Sequence, residues 1–340
     1  MTSRGSLGFD LIIGASGQDG YYLQQLLGAQ GRNFLCLDRN GLRCPDGKLS
    51  PMDICDATLV GNLLQQYPIE RIFYLAAYHH SAEQKDANHI NTLKISMDIH
   101  VYALEIFLTA IREYRPDTKI FYAASSHLFS GISSGEAGKE VLIDEQTPLC
   151  PKGWYGLSKA AGVELIRAAR KAGTYAVAGF LFNHESARRP KSFLSSKLTY
   201  GALDALLDPA SRLELLDVNA RVDWGYAPDY VKAMYLSLDH STAQDYVIAT
   251  GKLHSIADYA RQVYDLLGLD WQKFVTENSG AERKEMGTVT LVGNSTRLRA
   301  ATGWKPEINF EDMVARILLD TARERNISLE GKMKGIQYAS

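Results

Sequence analysis

The stretch Gly14-Ala15-Ser16-Gly17-Gln18-Asp19-Gly20 follows the short apolar run Phe9–Ile13 without a break and leads into a segment whose apolar residues recur at helical spacing. A G-x-x-G-x-x-G loop between a strand and a helix constrains the fold more than any other feature of the chain. Glycines there permit unusual dihedrals and close approach of a ligand, and the helix end beyond them offers free amides and a positive dipole to a pyrophosphate. Ser16, Gln18 and Asp19 join Gly14, Gly17 and Gly20 as candidate dinucleotide contacts.

The rest of the first half repeats the strand-then-helix alternation. Apolar runs at Phe34–Leu37, Arg71–Leu75, Lys119–Ala123 and Tyr175–Phe180 predict strands. Between them Gly20–Gln30, Leu59–Tyr67, Asn91–Tyr114 and Tyr155–Ala172 carry apolar residues three to four apart, as helices buried on one side require. This is an α/β pattern: a Rossmann-type doubly wound parallel sheet with a smaller, interleaved C-terminal substrate domain. The dinucleotide-binding part is expected over 7–182 with about 226–251, and the substrate part over 183–225 and 252–330. Helix Ser195–Leu207 belongs to the second part, whereas Asp229–Leu238 and Tyr246–Ala249 read as a return to the sheet.

Asp38 closes the second strand, where an acid can hydrogen-bond the adenosine ribose; this favours NAD, while Arg39 beside it offers a charge for the 2′-phosphate of NADP. Tyr155 and Lys159 lie four apart on one helical face. A tyrosine so placed can exchange a proton with a substrate hydroxyl while hydride moves to nicotinamide, and the nearby cation is expected to lower its pKa. Ser125 and Ser126 end the strand Lys119–Ala123, at the edge of the sheet where ligands gather. One of them is expected to bond the reacting oxygen.

Several classes are excluded. A net charge of −2 gives no basic field for nucleic acid. The polar start Met1–Gly8 and the lack of an apolar span of about 20 residues argue against export and membrane insertion, so a cytoplasmic protein is expected. Cys36, Cys44, Cys55 and Cys150 form no Cys-x-x-Cys pair and read as free thiols. His79, His80 and His127 do not make a metal set without a cysteine at zinc spacing, so no metal is expected.

On these residues the chain resembles the extended short-chain dehydrogenases that modify nucleotide sugars, and within them the GDP-mannose 4,6-dehydratase family. The likeness spans nearly the whole chain through Gly14–Gly20, Leu75-Ala76-Ala77, Tyr155 with Lys159, Leu181–Ser186 (LFNHES) followed by Arg188 and Arg189, Asp223-Trp224-Gly225 and Gly303–Ile308. It implies cofactor contacts at Asp53, Ile54, Leu75, Ala76, Ala77 and His184. It implies substrate contacts at Ser81, Asn183, Glu185, Arg188, Arg189, Lys197, Arg221 and Arg283. An arginine pair in a chain of net negative charge also suits a diphosphate on its own, because guanidinium forks match its oxygens.

The resemblance implies a reaction on a GDP-linked sugar, GDP-mannose or GDP-manno-heptose: oxidation at C4, loss of water across C5 and C6, return of hydride to C6. It also implies pairing of two copies through Asn91–Tyr114 and Tyr155–Ala172. Three departures bear on this. Ser125-Ser126-His127 stands where the family has Thr-Ser-Glu, so an imidazole replaces the carboxylate base at C5. Val222 stands where the family has arginine, with Arg221 one place earlier. The family insertion after the second strand is reduced around Arg39–Ser50, and the loop after Ala77 is shorter. A 4-keto reductase, epimerase or 4-oxidase would use the same Ser-Tyr-Lys core without dehydration, and a third reading is a non-catalytic nucleotide-sugar or dinucleotide sensor.

Overall fold

The computed structural model describes residues 8–44, 47–78, 89–133, 139–277 and 289–331. Its main sheet orders eight strands as β12-β8-β6-β5-β1-β2-β3-β4. The strands are β1 (Phe9–Ile13), β2 (Asn33–Asp38), β3 (Gly41–Arg43), β4 (Leu49–Ser50), β5 (Ile69–Tyr74), β6 (Lys119–Ala123), β8 (Ala176–Leu181) and β12 (Tyr246–Ile248); β7 (Glu140–Ile143) lies elsewhere, beside β15 (Thr290–Gly293). The strands from β12 to β2 pair in parallel, as expected. The segment expected as a reduced loop at Arg39–Ser50 instead contains the antiparallel pair β3 and β4, which extends the sheet. Two adjacent short runs with Gly41 at φ 119 can turn back on β2, and nothing in their length marks them as strands.

Helices α1 (Gln18–Ala29), α2 (Ala57–Gln66), α3 (His89–Met97), α4 (Ala103–Tyr114) and α5 (Gly153–Lys171) follow the expected pattern within a few residues. The segment expected as one helix from Asn91 to Tyr114 is continuous, but a π-type turn at Asp98–Tyr102 joins α3 to α4. One core fills the space around the large sheet. It includes Leu11, Ile72, Phe121, Val177 and Val247, and Leu298 and Trp304 from late in the chain join it.

The second core lies among α6 (Leu194–Leu207), α8 (Ile256–Leu266) and α10 (Phe310–Glu324), with Trp224 and Phe274. Small sheets surround it: β9 (Asn183–Glu185), β11 (Arg221–Tyr226) and β13 (Leu253–Ser255) in one, β10 (Leu213–Leu215) and β14 (Val275–Glu277) in another. Helices α7 (Ala227–Ser237) and α9 (Thr296–Thr302) connect back to the large sheet, α7 packing on α1. Among the described residues no helix is long and apolar enough to cross a membrane.

The one charge inside the central strand is Asp10, fully buried. Arg71 donates two 2.8 Å bonds to it from Nε and Nη2, and Arg32 adds two more. Paired and fully hydrogen-bonded, the carboxylate is compatible with an apolar sheet.

The order of strands switches at β1: after β1 the chain steps to β2 on one side, and later returns to β5 on the other, all three parallel. At such a switch point the loops diverge and leave a crevice at the carboxyl ends of the strands. Gly14 lies there with φ 93, and a Cβ on it would sit 2.7 Å from the backbone nitrogen of Ala76. Both the dihedral and the contact require glycine. Gly14→Ala is therefore expected to destabilise the protein by about 2 kcal/mol or more, read as a lowered urea midpoint; an unchanged midpoint would show that the β5 loop moves freely aside.

Candidate active site

Three segments meet over the carboxyl ends of the strands. The first is the glycine loop. Gly14 and Ala15 nitrogens donate to Leu37 O, and Gly17 begins α1 without any side-chain cap. The first amides of α1 are therefore not satisfied by a capping side chain, which leaves an anion seat at a positive helix end. At Gly20 a Cβ would lie 2.5 Å from Gly14 O, so the loop has no room for larger residues at either glycine. These observations fit a dinucleotide diphosphate held by Gly14–Gly20. Asp38 accepts from Asn40 N at 2.8 Å and Asp53 from Cys55 N at 2.9 Å, each fixing its own turn at the rim. Leu75 N pairs with Ile13 O, bringing Leu75-Ala76-Ala77 against the loop.

The second segment is β9 and the turn after it. His184 sets Nδ1 against Phe182 O at 2.7 Å and Nε2 against Asp19 Oδ2 at 3.0 Å. Burial would raise the Asp19 carboxyl, but the His184 charge and hydrogen bond, with Arg189 and Gln18, hold it below the usual carboxylate value. Gln18 bonds His184 O and accepts from Ser186 Oγ at 2.7 Å. The ring of His184 stacks on Tyr230 at 4.8 Å. Gly225 makes room for that tyrosine, since a Cβ there would be 2.1 Å from its ring.

The arginines are placed more specifically than the sequence could say. Arg189 lies 3.3 Å from Glu185 through Nε and donates to His184 O at 3.0 Å, while Glu185 accepts from Ser195 Oγ. Arg188 is exposed and stacks over Tyr21 at 3.8 Å. Asn183 is exposed on β9, and Lys197 is half-buried on α6. Arg221 pairs with Glu140 of β7. Ser81 and Arg283, like His79 and His80, lie outside the described residues.

The third segment carries Ser125, Ser126, His127, Tyr155 and Lys159. Ser125 caps the short turn Ser126–Phe129 by accepting from His127 N at 3.2 Å, and its hydroxyl is also bonded to the Tyr155 phenol. Ser126 is half-buried in the same turn. The ring of Tyr155 has two imidazoles at its edges, His127 and His100, each centred 5.5 Å away and nearly perpendicular. Lys159 is buried, donates from Nζ to Ala123 O at 2.7 Å and lies over the Tyr122 ring.

Electrostatics here differs from the expected cation-lowered phenol. Burial lowers the Lys159 ammonium to about 7, so it carries only part of a charge at neutral pH. Burial pushes Tyr155 up to about 12, with the Ser125 hydrogen bond and the Arg189 charge pulling the other way. His127 is exposed to solvent, and desolvation by the groups packed around it holds its imidazole below the ordinary value. All three groups are pushed toward their neutral forms.

His100, Ser158 and Tyr122 belong to this cluster and carry no sequence signal. His100 reaches it only because the π-type turn falls at its position, 58 residues from Ser158.

A profile of the family described as GDP-mannose 4,6 dehydratase matches residues 11–317. GDP-mannose 4,6 dehydratase 2 of Arabidopsis thaliana is 27% identical over 94% of this chain and 89% of its own length. The human GDP-mannose 4,6 dehydratase is 26% identical over 91% of this chain and 90% of its own. Among solved structures, RMD from Pseudomonas aeruginosa complexed with NADPH superposes with a TM-score of 0.76 at 20% identity, covering 94% of this chain and 99% of that one. A dTDP-glucose 4,6-dehydratase from Bacillus anthracis in complex with NAD gives 0.75 at 17% identity, covering 93% and 97%. At such identities these likenesses bear on the fold.

Buried Lys159 makes a measurable contribution to stability against pH. Its folded value of about 7 lies below the unfolded lysine value of about 10.4, so between them the unfolded chain binds more protons. Relative to Lys159→Met, cofactor-free wild type should gain stability as pH rises from about 7 to about 10 and show no such slope below 7. Urea unfolding of both proteins across that range tests this; parallel stabilities would mean that Nζ is solvated.

Proposed function

This chain belongs to the GDP-mannose 4,6-dehydratase family, and from that premise we propose that it is an NAD(P)-dependent lyase that dehydrates a GDP-linked sugar of the mannose type, hexose or heptose. The observation that carries the reading is the setting of Tyr155, bonded to Ser125 and flanked by His127, beside the glycine-lined seat for a dinucleotide.

In this reading Ser125 and Tyr155 hold the C4 hydroxyl, and Tyr155 takes its proton. Lys159, fixed by its bond to Ala123 O, places its Nζ 5.9 Å from the centre of the Tyr155 ring. When bound, the dinucleotide supplies the hydride acceptor for C4, the hydride donor for C6, and a positive ring that offsets the burial penalty on a Tyr155 phenolate. The 4-keto group acidifies C5–H, and the neutral imidazole of His127 accepts that proton. The resulting imidazolium gives that proton to the departing C6 hydroxyl, so elimination releases water; when hydride returns to C6, C5 regains a proton through His127, balanced by the one Tyr155 took from the C4 hydroxyl, and the whole cycle is redox-neutral. Depression of the His127 pKa by desolvation favours this role, because it keeps the base unprotonated at neutral pH.

Arg188, Arg189, Asn183, Glu185 and Lys197 would line the nucleotide-sugar diphosphate, with Arg189 held ready by Glu185. Asp38 favours NAD in this reading, and Arg39 remains the residue that would admit NADP. The interleaved two-part division also belongs to this proposal, as does a cytoplasmic homodimer. Exposed Tyr102, Trp154 and Leu157, at 58%, 41% and 47% accessibility, give the helical face around α5 an apolar surface suited to a second copy.

The second reading, a reductase, epimerase or oxidase, is favoured by His127, an imidazole at the position where the resemblance implies a carboxylate base. Mass spectrometry of GDP-mannose and GDP-manno-heptose after incubation, with C5 deuterium exchange, separates the two. His127→Ala is expected to stop water loss and C5 exchange while still allowing some dinucleotide reduction. His127→Glu is expected to eliminate water at least as well as wild type. Loss of wild-type elimination on acidification should set in below pH about 6.5, as the depressed imidazole is protonated. Reduction of the dinucleotide by a sugar that never exchanges at C5 would replace the dehydratase reading with the second one.

A further inference from the structure

His100 is fully buried, away from any exposed surface, yet both ring nitrogens have assigned partners in the site. Tyr78 N lies 3.1 Å from Nε2, and Nδ1 lies 2.8 Å from Ser158 Oγ. An amide can only donate, so Nε2 must be the acceptor. A neutral ring then carries its proton on Nδ1 and donates it to Ser158. The serine hydroxyl in turn donates to Tyr155 O at 3.1 Å. A one-way chain of hydrogen bonds thus runs from the backbone after β5, through His100 and Ser158, to the residue that handles the C4 proton.

The chain ends on the main-chain carbonyl of Tyr155, and the Tyr155 ring meets the His100 ring directly, edge on, at an interplanar angle of 84°. Local geometry maintains the chain. Tyr74 and Tyr122 hydroxyls donate to the carbonyls of Ile99 and His100 in the π-type turn, and Gly162 leaves the space, since a Cβ there would be 2.3 Å from Tyr122 Oη. Turns of this kind inside helices commonly mark functional positions.

We propose that His100 is a positioning residue for catalysis: as the Nδ1–H tautomer it ties the backbone of Tyr78, at the edge of the dinucleotide crevice, to the start of α5 and holds the Tyr155 phenol at the reaction angle. This rests on the reading of Tyr155 as the proton-transfer residue. It makes the alignment of Tyr155 responsive to the position of the β5 loop.

The test uses three variants. His100→Phe keeps the ring volume and loses both hydrogen bonds; His100→Gln keeps an acceptor and a donor on one side chain; Ser158→Ala breaks the next link. The expected result for His100→Phe is a fall in kcat of about 10- to 100-fold from misplacement of the phenol, with KM for the GDP-sugar and dinucleotide affinity nearly unchanged. His100→Gln should recover part of that loss, and adding Ser158→Ala to His100→Phe should cost little more. Nitrogen-15 spectra of the wild-type imidazoles should show His100 with its proton on Nδ1, whatever the substrate proves to be. The opposite tautomer, a kcat in His100→Phe within twofold of wild type, or equal losses in kcat and dinucleotide affinity would overturn the proposal. If Tyr155→Phe itself turns over like wild type, the functional reading falls first.

Discussion

The contact on which the site depends is the one between Asp19 and His184. Asp19 belongs to the first turn of α1, inside the glycine loop, and His184 to β9, at the entry to the second core. Gln18 repeats the connection through Ser186 and through His184 O. The dinucleotide seat and the segment carrying Glu185, Arg188 and Arg189 are therefore a single hydrogen-bonded unit. A carboxylate beside a diphosphate seat would repel the ligand if left alone; paired with an imidazole and near Arg189, it orders the loop at small electrostatic cost. The stacking of His184 on Tyr230, made possible by Gly225, anchors this unit to α7.

Above that unit, desolvation has opposite signs on different groups and a common result. Desolvation lowers Lys159 and His127 and raises Tyr155, so each of these candidate catalytic groups is shifted toward its neutral form. Neutral groups suit a cycle in which protons leave and return, because each transfer creates a charge that the assembled site must then stabilise. The same burial explains why Lys159 does not act as a permanent cation on the phenol. A permanent charge would need solvation, and among the described residues the ammonium donates to Ala123 O alone.

Much of the fold was legible in the sequence because parallel strands and one-sided helices leave periodic traces. β1 and β6 match their expected bounds, and the glycine loop stands where strand-to-helix context put it. The pair β3 and β4 was not legible, since two very short strands are too brief for alternation to register. At the candidate site, spacing marked Tyr155 with Lys159, and the end of a strand marked Ser125 and Ser126 without choosing between them. His100 did not: its partners come from the end of β5 and from the middle of α5, and only the π-type turn aims it at both. Likewise the sequence marked Arg188 and Arg189 as a pair, whereas the fold divides them, one stacked on Tyr21 and the other against Glu185.

The Asp10, Arg71 and Arg32 cluster lies at the opposite end of the strands that carry Gly14 and Leu75. The central strands are thus bolted at the end away from the chemistry by a buried Asp10–Arg71 pair, with Arg32 at its partly exposed rim. Such a layout separates what keeps the sheet together from what decides the reaction. Residues at the carboxyl ends, His127 among them, make no contact with the ion cluster that joins β1 to β5, so a change there leaves that cluster in place. The fold is in this sense permissive of new chemistry at one end because it is intolerant of change at the other.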